Sequence, residues 1–227
     1  MAVSPLIFLP ATPRVNRSRT SAMMRTCAMR DDIDSVLISR GDIAGRVAAM
    51  AHRITSDTCR SAAGGDAESA PTLTIIPILT GSIIFVADLI REMSLPIQIH
   101  LISVTSYPGR STSSRGARIR DELTGLPETL TGADVLIVDD IFDTGRTLKM
   151  VRDLVAARSP RSLRTCVLLR KQGTTEVRMP VDYAGFDIPD RFVVGYGLDF
   201  NDRYRNLPDI VTLRPGVLDT SPDHATS

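Results

Sequence analysis

The sequence predicts an open α/β fold built on a mostly parallel sheet. Short apolar runs typical of strands alternate with segments of helical periodicity along most of the 227 residues. The runs are apolar at nearly every position, as expected for parallel strands that helices cover on both faces. One run, residues 135–138, leads directly into Asp139 and Asp140. Because ligands in open α/β folds bind at the carboxyl ends of the strands, this point is a candidate site.

The elements follow one another in a regular order. Residues 33–58 show helical spacing, with Ile43, Val47, Met50 and Ile54 roughly on one face, and residues 61–71 have loop composition. The later predicted elements are a strand at 73–79, a helix at 83–93, a strand at 97–104, a strand at 135–138, a helix at 147–158, a strand at 163–169 and short strand-like pieces within 181–196.

Three segments lie outside these elements. Residues 1–30 carry five arginines and no acid. We expect a disordered extension or a start codon placed too early, with an organelle-type targeting segment as the alternative. Residues 105–128, rich in Ser, Gly and Arg, indicate a long exposed loop, and residues 214–227 a disordered tail. The folded domain is therefore expected at residues 31–213.

The composition disfavours several classes of function. The net charge is +1, and the chain beyond residue 30 carries 22 basic and 26 acidic side chains. This balance gives no electrostatic reason to expect nucleic acid or a membrane surface as a partner. No apolar segment is long enough to span a bilayer. Cys27, Cys59 and Cys166 are widely separated, which fits a reducing compartment and predicts a cytoplasmic protein.

The stretch VLIVDDIFDTGRTL, residues 135–148, carries the strongest functional signal. The turn at 143–147 can aim backbone N–H groups and the dipole of the following helix at one anion, with Gly145 allowing close approach or positive φ. Hydroxyls of Thr144 and Thr147 would complete a phosphate cradle. Asp139 and Asp140 can accept hydrogen bonds from ribose hydroxyls. The pattern indicates a ribose 5-phosphate site, and it lacks the spacing of a Walker A or GxGxxG loop.

This stretch resembles the signature of type I phosphoribosyltransferases, which bind phosphoribosyl pyrophosphate (PRPP). Four further segments resemble hypoxanthine-guanine phosphoribosyltransferases in the same order: PILTGSIIFVADL (77–89), SVTSYPG (103–109), CVLLRK (166–171) and GFDIPDRFVVGYGLDFNDRYRNLP (185–208). The resemblance spans roughly residues 35–213. It implies the type I phosphoribosyltransferase fold, with a small hood subdomain formed by residues 181–213 plus an N-terminal part, and a mobile flap over 105–128.

The resemblance also implies an activity. The enzyme would serve purine salvage by transferring the 5-phosphoribosyl group of PRPP to a 6-oxopurine, hypoxanthine and/or guanine, giving IMP or GMP and pyrophosphate. The family commonly forms dimers or tetramers, so we expect a homo-oligomer. Its partners would be these small molecules, with no nucleic acid and no membrane.

By the same resemblance, one set of residues binds PRPP. Asp139 and Asp140 would hold the ribose hydroxyls, and Arg205 would contact pyrophosphate. Thr80 and Gly81 form the pyrophosphate-binding turn, whose peptide bond can be cis in the family; Thr80 replaces a cationic residue common there. Asp199, Asp139 and Asp140 are the candidate ligands of Mg²⁺, a cation that favours oxygen ligands and phosphates. The residues of the 5-phosphate turn are Asp143, Thr144, Gly145, Arg146 and Thr147.

A second set is implied to bind the purine. Asp143 would accept the proton of N7, and Lys171 would donate to the 6-oxo oxygen. Lys171 is one of only two lysines beside 25 arginines; a lysine kept among so many arginines marks a position that needs an ammonium. The remaining members are Phe192, which would stack on the base, Val193 and Asp199, which would meet its edge, and the flap residues Ser106 and Tyr107.

Two other functions fit parts of the pattern. A phosphoribosyltransferase for adenine or uracil would share the PRPP motif, but Lys171 and the segment DRFVVGYGLDF (190–200) argue against it. A nucleotide-sensing regulator that binds RNA or DNA would need a basic face or an added module, whereas the body of this chain is mildly acidic. The sequence leaves the preference among hypoxanthine, guanine and xanthine open.

Overall fold

The structure, a computed structural model, describes residue 29 and residues 31–62, 71–104, 126–177 and 179–218. The chain divides into two units, Met1–Asp32 and Ile33–Ser227, and the second contains every element described below. In chain order these are β1 (Ile33–Ile38), α1 (Arg40–Ala62), β2 (Leu73–Leu79), α2 (Ile83–Arg91), β3 (Ile97–Ile99), β4 (Ile102–Ser103), β5 (Asp134–Phe142), α3 (Arg146–Ala156), β6 (Ser162–Lys171), β7 (Tyr183–Ile188), β8 (Val193–Val194), β9 (Ile210–Leu213) and α4 (Pro215–Leu218).

A parallel sheet lies at the centre of this unit. The strand order is β3-β2-β5-β6-β7, and β4 also pairs with β2. Every one of these pairings is parallel. The predicted mostly parallel sheet is therefore confirmed. Its carboxyl edge brings together the ends of β2, β5 and β6, where the functional motif was predicted.

The sheet is covered on both faces, which explains why its strands are apolar at successive positions. Alternate residues of β2 and β5 pack on opposite sides because side chains alternate across a strand. Ile75 and Leu136 join a core with α1 and α2, whereas Ile76 and Ile137 join a second core with α3. The predicted buried face of α1 is confirmed: Ile43, Val47, Met50 and Ile54 are all buried.

A separate three-stranded antiparallel sheet has the order β1-β9-β8. This sheet differs from the sequence prediction in two places. The helix predicted from residue 33 begins only at Arg40, because Ile33–Ile38 is a strand. Strand β9 was not predicted. Its four residues are all buried, and it pairs with a strand about 180 residues earlier.

Other boundaries differ less. The strand predicted at 97–104 is two short strands, β3 and β4, both paired with β2. Helix α4 lies within the stretch for which the sequence predicts a disordered tail. Ser106, Tyr107 and most of the predicted flap lie outside the described residues.

No helix in the described part of the chain has both the length and the hydropathy needed to cross a bilayer.

Candidate active site

A cleft of about 800 Å³ opens at the carboxyl ends of β2, β5 and β6. This volume is within the range of small-molecule sites. The cleft gathers nearly all the described residues that the sequence singled out: Thr80, Gly81, Asp139, Asp140, Asp143, Thr144, Gly145, Thr147, Lys171, Phe192, Val193, Asp199 and Arg205. Site residues predicted from separate segments of the chain therefore line one cleft.

Asp139 and Asp140 form an acidic pair on the floor of the cleft. The carboxylate of Asp139 accepts a hydrogen bond from the backbone N–H of Asp140 at 3.1 Å, and that of Asp140 accepts one from Ile141 at 2.9 Å. Burial and the charge of Asp140 raise the pKa of Asp139 well above its usual range. Burial likewise raises the pKa of Asp140. Two neighbouring carboxylates without full charge compensation favour a ligand that brings hydrogen-bond donors or a cation.

The turn after β2 closes over this pair. The peptide bond between Leu79 and Thr80 is cis, the state that the family resemblance allowed for. The backbone of Gly81 lies against the carboxylate of Asp140. Thr80 and Gly81 both line the cleft.

The predicted phosphate turn has the backbone that its sequence requires. Gly145 caps α3 with φ +83°, a conformation that favours glycine. A Cβ there would also lie 2.9 Å from the ring of Phe142. Two residues after β6 support the turn: the N–H groups of Glu176 and Val177 both donate to the Thr144 carbonyl at 3.1 Å.

Arg146 differs from the other members of the predicted set. Its guanidinium forms an ion pair with Glu176, and the side chain is 71% exposed. It does not line the cleft. Only its backbone N–H faces the turn, where it donates to the hydroxyl of Thr144 at 3.4 Å.

Lys171, at the end of β6, is held between two carboxylates. Its ammonium donates to Oδ2 of Asp143 at 3.0 Å and to Oδ1 of Asp190 at 3.2 Å. Only 11% of its side chain is exposed. Asp190 was not among the predicted site residues, although its place between the end of a strand and Phe192 was a usable signal.

An aromatic side chain lies at the rim nearby. Phe192 is 46% exposed, which is unusual for a large apolar residue and leaves its ring available for contact. It packs edge-to-face on Phe200, with ring centroids 5.4 Å apart. Val193 beside it is buried.

Arg205 and Asp199 also line the cleft. The guanidinium of Arg205 pairs with Asp199 at 2.8 Å and also donates to the carbonyl of Gly197 at 2.8 Å. A weaker contact at 3.5 Å joins it to Asp202. Arg205 is thus a fixed cation, and a fixed guanidinium is suited to an anionic oxygen cluster.

The described residues contain no group of three or more His, Cys, Asp or Glu side chains arranged as a complete metal site. Mg²⁺, however, is commonly held by one or two carboxylates together with substrate phosphates. The acidic pair Asp139 and Asp140 fits that mode, because two adjacent carboxylates line the cleft.

Comparisons with known proteins agree with this geometry. A model described as the phosphoribosyl transferase domain matches residues 50–201. A hypoxanthine-guanine phosphoribosyltransferase of Mycobacterium avium is 46% identical over 187 residues, which are 82% of this chain and 88% of the relative. A hypoxanthine phosphoribosyltransferase of Haemophilus influenzae is 41% identical over 172 residues, 76% of this chain and 90% of the relative. The crystal structure of a hypoxanthine phosphoribosyltransferase from Staphylococcus aureus has a TM-score of 0.73 at 35% identity, covering 86% of this chain and 98% of that one.

Proposed function

Because the chain belongs to the phosphoribosyl transferase family, we propose that it transfers the 5-phosphoribosyl group of PRPP to a 6-oxopurine, hypoxanthine and/or guanine. The products are IMP or GMP and pyrophosphate. The observation that carries this proposal is the pairing of Lys171 and Asp143 at 3.0 Å inside the cleft. The 6-oxo oxygen and N7–H are neighbours on one edge of the purine. A donor beside an acceptor at hydrogen-bond spacing is complementary to that edge.

The same pair gives a reason for selectivity. Adenine carries an exocyclic amine where a 6-oxopurine carries an oxygen, so an amine N–H would face the ammonium of Lys171. A nearly buried donor left without an acceptor costs about 1–3 kcal/mol. Sites that hydrogen-bond one substrate group reject analogues lacking it more strongly than apolar pockets do.

Other residues of the cleft suit PRPP. Asp139 and Asp140 would accept hydrogen bonds from the ribose hydroxyls. The turn at residues 143–147 would hold the 5-phosphate through backbone N–H groups, with Thr144 and Thr147 adding hydroxyls. Arg205, together with backbone groups of Thr80 and Gly81, would hold pyrophosphate.

Three carboxylates would hold Mg²⁺: Asp139, Asp140 and Asp199. When bound, the cation would neutralise charge on the departing pyrophosphate. The fit rests on the acidic pair, whose two adjacent carboxylates line the cleft. Asp199 is already paired with Arg205, so its contribution would be the more easily replaced.

Residues of the chain would act on the reacting centre in two ways. As pyrophosphate leaves, the anomeric carbon becomes oxocarbenium-like, and the nearby carboxylates stabilise the positive charge that develops. Asp143 would accept the N7 proton as the base attacks that carbon. Phe192 would stack on the ring. We further propose that Ser106 and Tyr107, outside the described residues, belong to a flap that excludes water during this step.

Three coarser features complete the proposal. The antiparallel sheet β1-β9-β8 would be the hood subdomain, because it comes from the residues assigned to it. The protein would be a homo-oligomer, dimer or tetramer, since Ile83, Ile99 and Leu101 are large exposed apolar side chains. It would act in the cytoplasm, which suits the free thiols of Cys59 and Cys166.

The test is a parallel turnover assay with PRPP, Mg²⁺ and hypoxanthine, guanine, xanthine, adenine or uracil. We expect activity confined to 6-oxopurines, and the same assay ranks them. Preferred turnover of adenine or uracil would contradict the selectivity argument. A folded protein that binds PRPP and turns over no base would favour a regulatory role instead.

A further inference from the structure

We infer that Asp190 is a positioning residue that holds the Lys171 ammonium in the orientation needed to read the 6-oxo group of the purine. This inference rests on the proposed function and names a residue outside the motif segments that bind PRPP. It concerns how the site selects its base, since Asp190 touches Lys171 and does not line the cleft.

The ammonium of Lys171 has three N–H donors and no acceptor. One donates to Asp143 at 3.0 Å and a second to Asp190 at 3.2 Å. No further partner of this ammonium is present among the described residues. With two directions fixed by carboxylates, the tetrahedral geometry fixes the third, and Lys171 lines the cleft where the base would lie. One carboxylate alone would leave the ammonium free to rotate about a single contact.

Asp190 is well placed to act in this way. It follows β7 by two residues, and the backbone at the end of β7 is tied to the residue after Lys171, because Gln172 N–H donates to the Ile188 carbonyl at 3.0 Å. The next turn is tight, with Arg191 N–H donating to the carbonyl of Pro189 at 2.8 Å. Phe192 follows Asp190 by two residues. The contact from Asp190 to Lys171 therefore links the base-reading side chain to the loop that carries the stacking ring.

The exposure of the two carboxylates separates their roles. Asp190 is 64% exposed and Asp143 42%. Because solvent screens an exposed carboxylate, Asp190 contributes little to folding but still sets a direction for a nearly buried ammonium. Its loss should weaken recognition of the base and leave the PRPP-binding residues unchanged.

The experiment compares steady-state kinetics of the full chain, wild type and Asp190→Ala, with hypoxanthine and PRPP varied in turn. We expect KM for hypoxanthine to rise by roughly 5- to 20-fold, on the scale of one charge-assisted hydrogen bond. KM for PRPP should stay within about twofold. Asp190→Asn keeps a neutral acceptor for the ammonium, so its KM for hypoxanthine should lie between those of wild type and Asp190→Ala.

Asp187→Ala is the matched control. Asp187 is also a partly exposed carboxylate, and it lies on β7 three residues before Asp190. It pairs with Arg170, the residue before Lys171, at 2.6 and 3.0 Å. It does not line the cleft, so this variant removes the same charge close to Asp190 in the chain and should keep wild-type KM values. Thermal unfolding of each variant reports whether a change in KM follows a loss of fold.

Three outcomes would overturn the inference. One is an unchanged KM for hypoxanthine in Asp190→Ala, and another is an equal rise in Asp187→Ala. The third is a parallel rise in KM for hypoxanthine and PRPP, which would indicate a structural role. Wild-type protein that turns over no 6-oxopurine would instead contradict the proposed function, so the two failures are distinguishable.

Discussion

The carboxylate of Asp140 packs directly on the Cα atom of Gly81: a Cβ atom at position 81 would lie 1.8 Å from Oδ2 and 2.7 Å from Cγ of Asp140. The turn after β2 and the end of β5 are thus in contact through a position that only glycine can occupy without displacement. The proposed ribose-binding and pyrophosphate-binding groups meet at this contact. The relative placement of these two groups therefore depends on glycine at position 81.

Gly81→Ala should lower kcat/KM for PRPP by about 100-fold, because a displacement near 1 Å at an active site has an effect of that size. Steady-state kinetics and a thermal unfolding curve would test this. Gly45→Ala is the control, since a Cβ there meets nothing within 4 Å and alanine is favoured over glycine in a helix by roughly 1 kcal/mol. Near-normal turnover by Gly81→Ala would mean that the turn can move away from Asp140 without functional cost.

Asp139→Asn should make the protein more stable at neutral pH while weakening PRPP binding. Burial and Asp140 raise the pKa of Asp139. A raised folded-state pKa gives a stabilising contribution that is fully present below the unfolded value of about 3.9 and is lost as pH rises through the folded value. Above the unfolded value, the folded wild type must therefore either keep the proton or bury the charge, a cost in unfolding free energy that grows with pH. The amide has no such cost, so the stability difference should be largest near pH 8 and should shrink near pH 4.

Thermal unfolding of wild type and Asp139→Asn from about pH 4 to 8 would measure this difference, at roughly 2–4 °C for each kcal/mol. KM for PRPP should rise roughly tenfold or more, through loss of a hydrogen bond to a charged acceptor. A variant that is less stable than wild type at pH 8 would show that ionised Asp139 is a net stabilising group.

Asp134→Asn should have the opposite effect on stability. Asp134 lies at the start of β5, away from the cleft, and is 1% exposed. It accepts hydrogen bonds from Arg161 and, at 2.7 Å, from Ser162. The hydrogen bond from Arg161 lowers its pKa, so its contribution is present above about pH 3.9 and is lost as pH falls through the lowered folded value.

We expect Asp134→Asn to cost about 1–3 kcal/mol of unfolding free energy at pH 7, with catalysis unchanged. Denaturant unfolding at pH 7 and at pH 3 would test the size and the direction. Asp153→Asn is the control, because Asp153 forms an exposed pair with Lys149 at 2.5 Å and such pairs contribute at most about 1 kcal/mol. An equal loss of unfolding free energy in both variants would contradict a larger contribution of Asp134 to stability.

The parts of the fold that the sequence predicts are those whose pattern is local. Strands β2 and β5 are buried on both faces and so show continuous apolar runs, and the buried face of α1 recurs at helical spacing. Strand β1 shows no such pattern: Val36 is 56% exposed, and the strand is defined by pairing with β9 far along the chain. Long-range pairing of this kind leaves little signal in a short window.

The same distinction applies to the candidate site. Within the VLIVDDIFDTGRTL stretch, residues 139–145 and Thr147 line the cleft because one strand and one turn place them there. Asp190 reaches Lys171 only because β6 and β7 are neighbours in the sheet. The outward position of the Arg146 side chain depends on Glu176, thirty residues later. Contacts between elements therefore complete a site whose centre is encoded locally.

Asp143→Asn should separate binding from chemistry. The amide oxygen can still accept a hydrogen bond from Lys171, so the ammonium keeps both partners and KM for PRPP should change little. The amide cannot take the N7 proton, and we expect kcat to fall by about 10²- to 10⁴-fold, the usual size of general base catalysis. Rapid-mixing kinetics with hypoxanthine and PRPP would measure the chemical step. Glu176→Gln removes the same charge from the outer side of the same turn, where Glu176 pairs with Arg146, and should leave kcat near wild type. A comparable loss in Glu176→Gln would assign the effect to the charge of the turn, and normal turnover by Asp143→Asn would require another group to accept the proton.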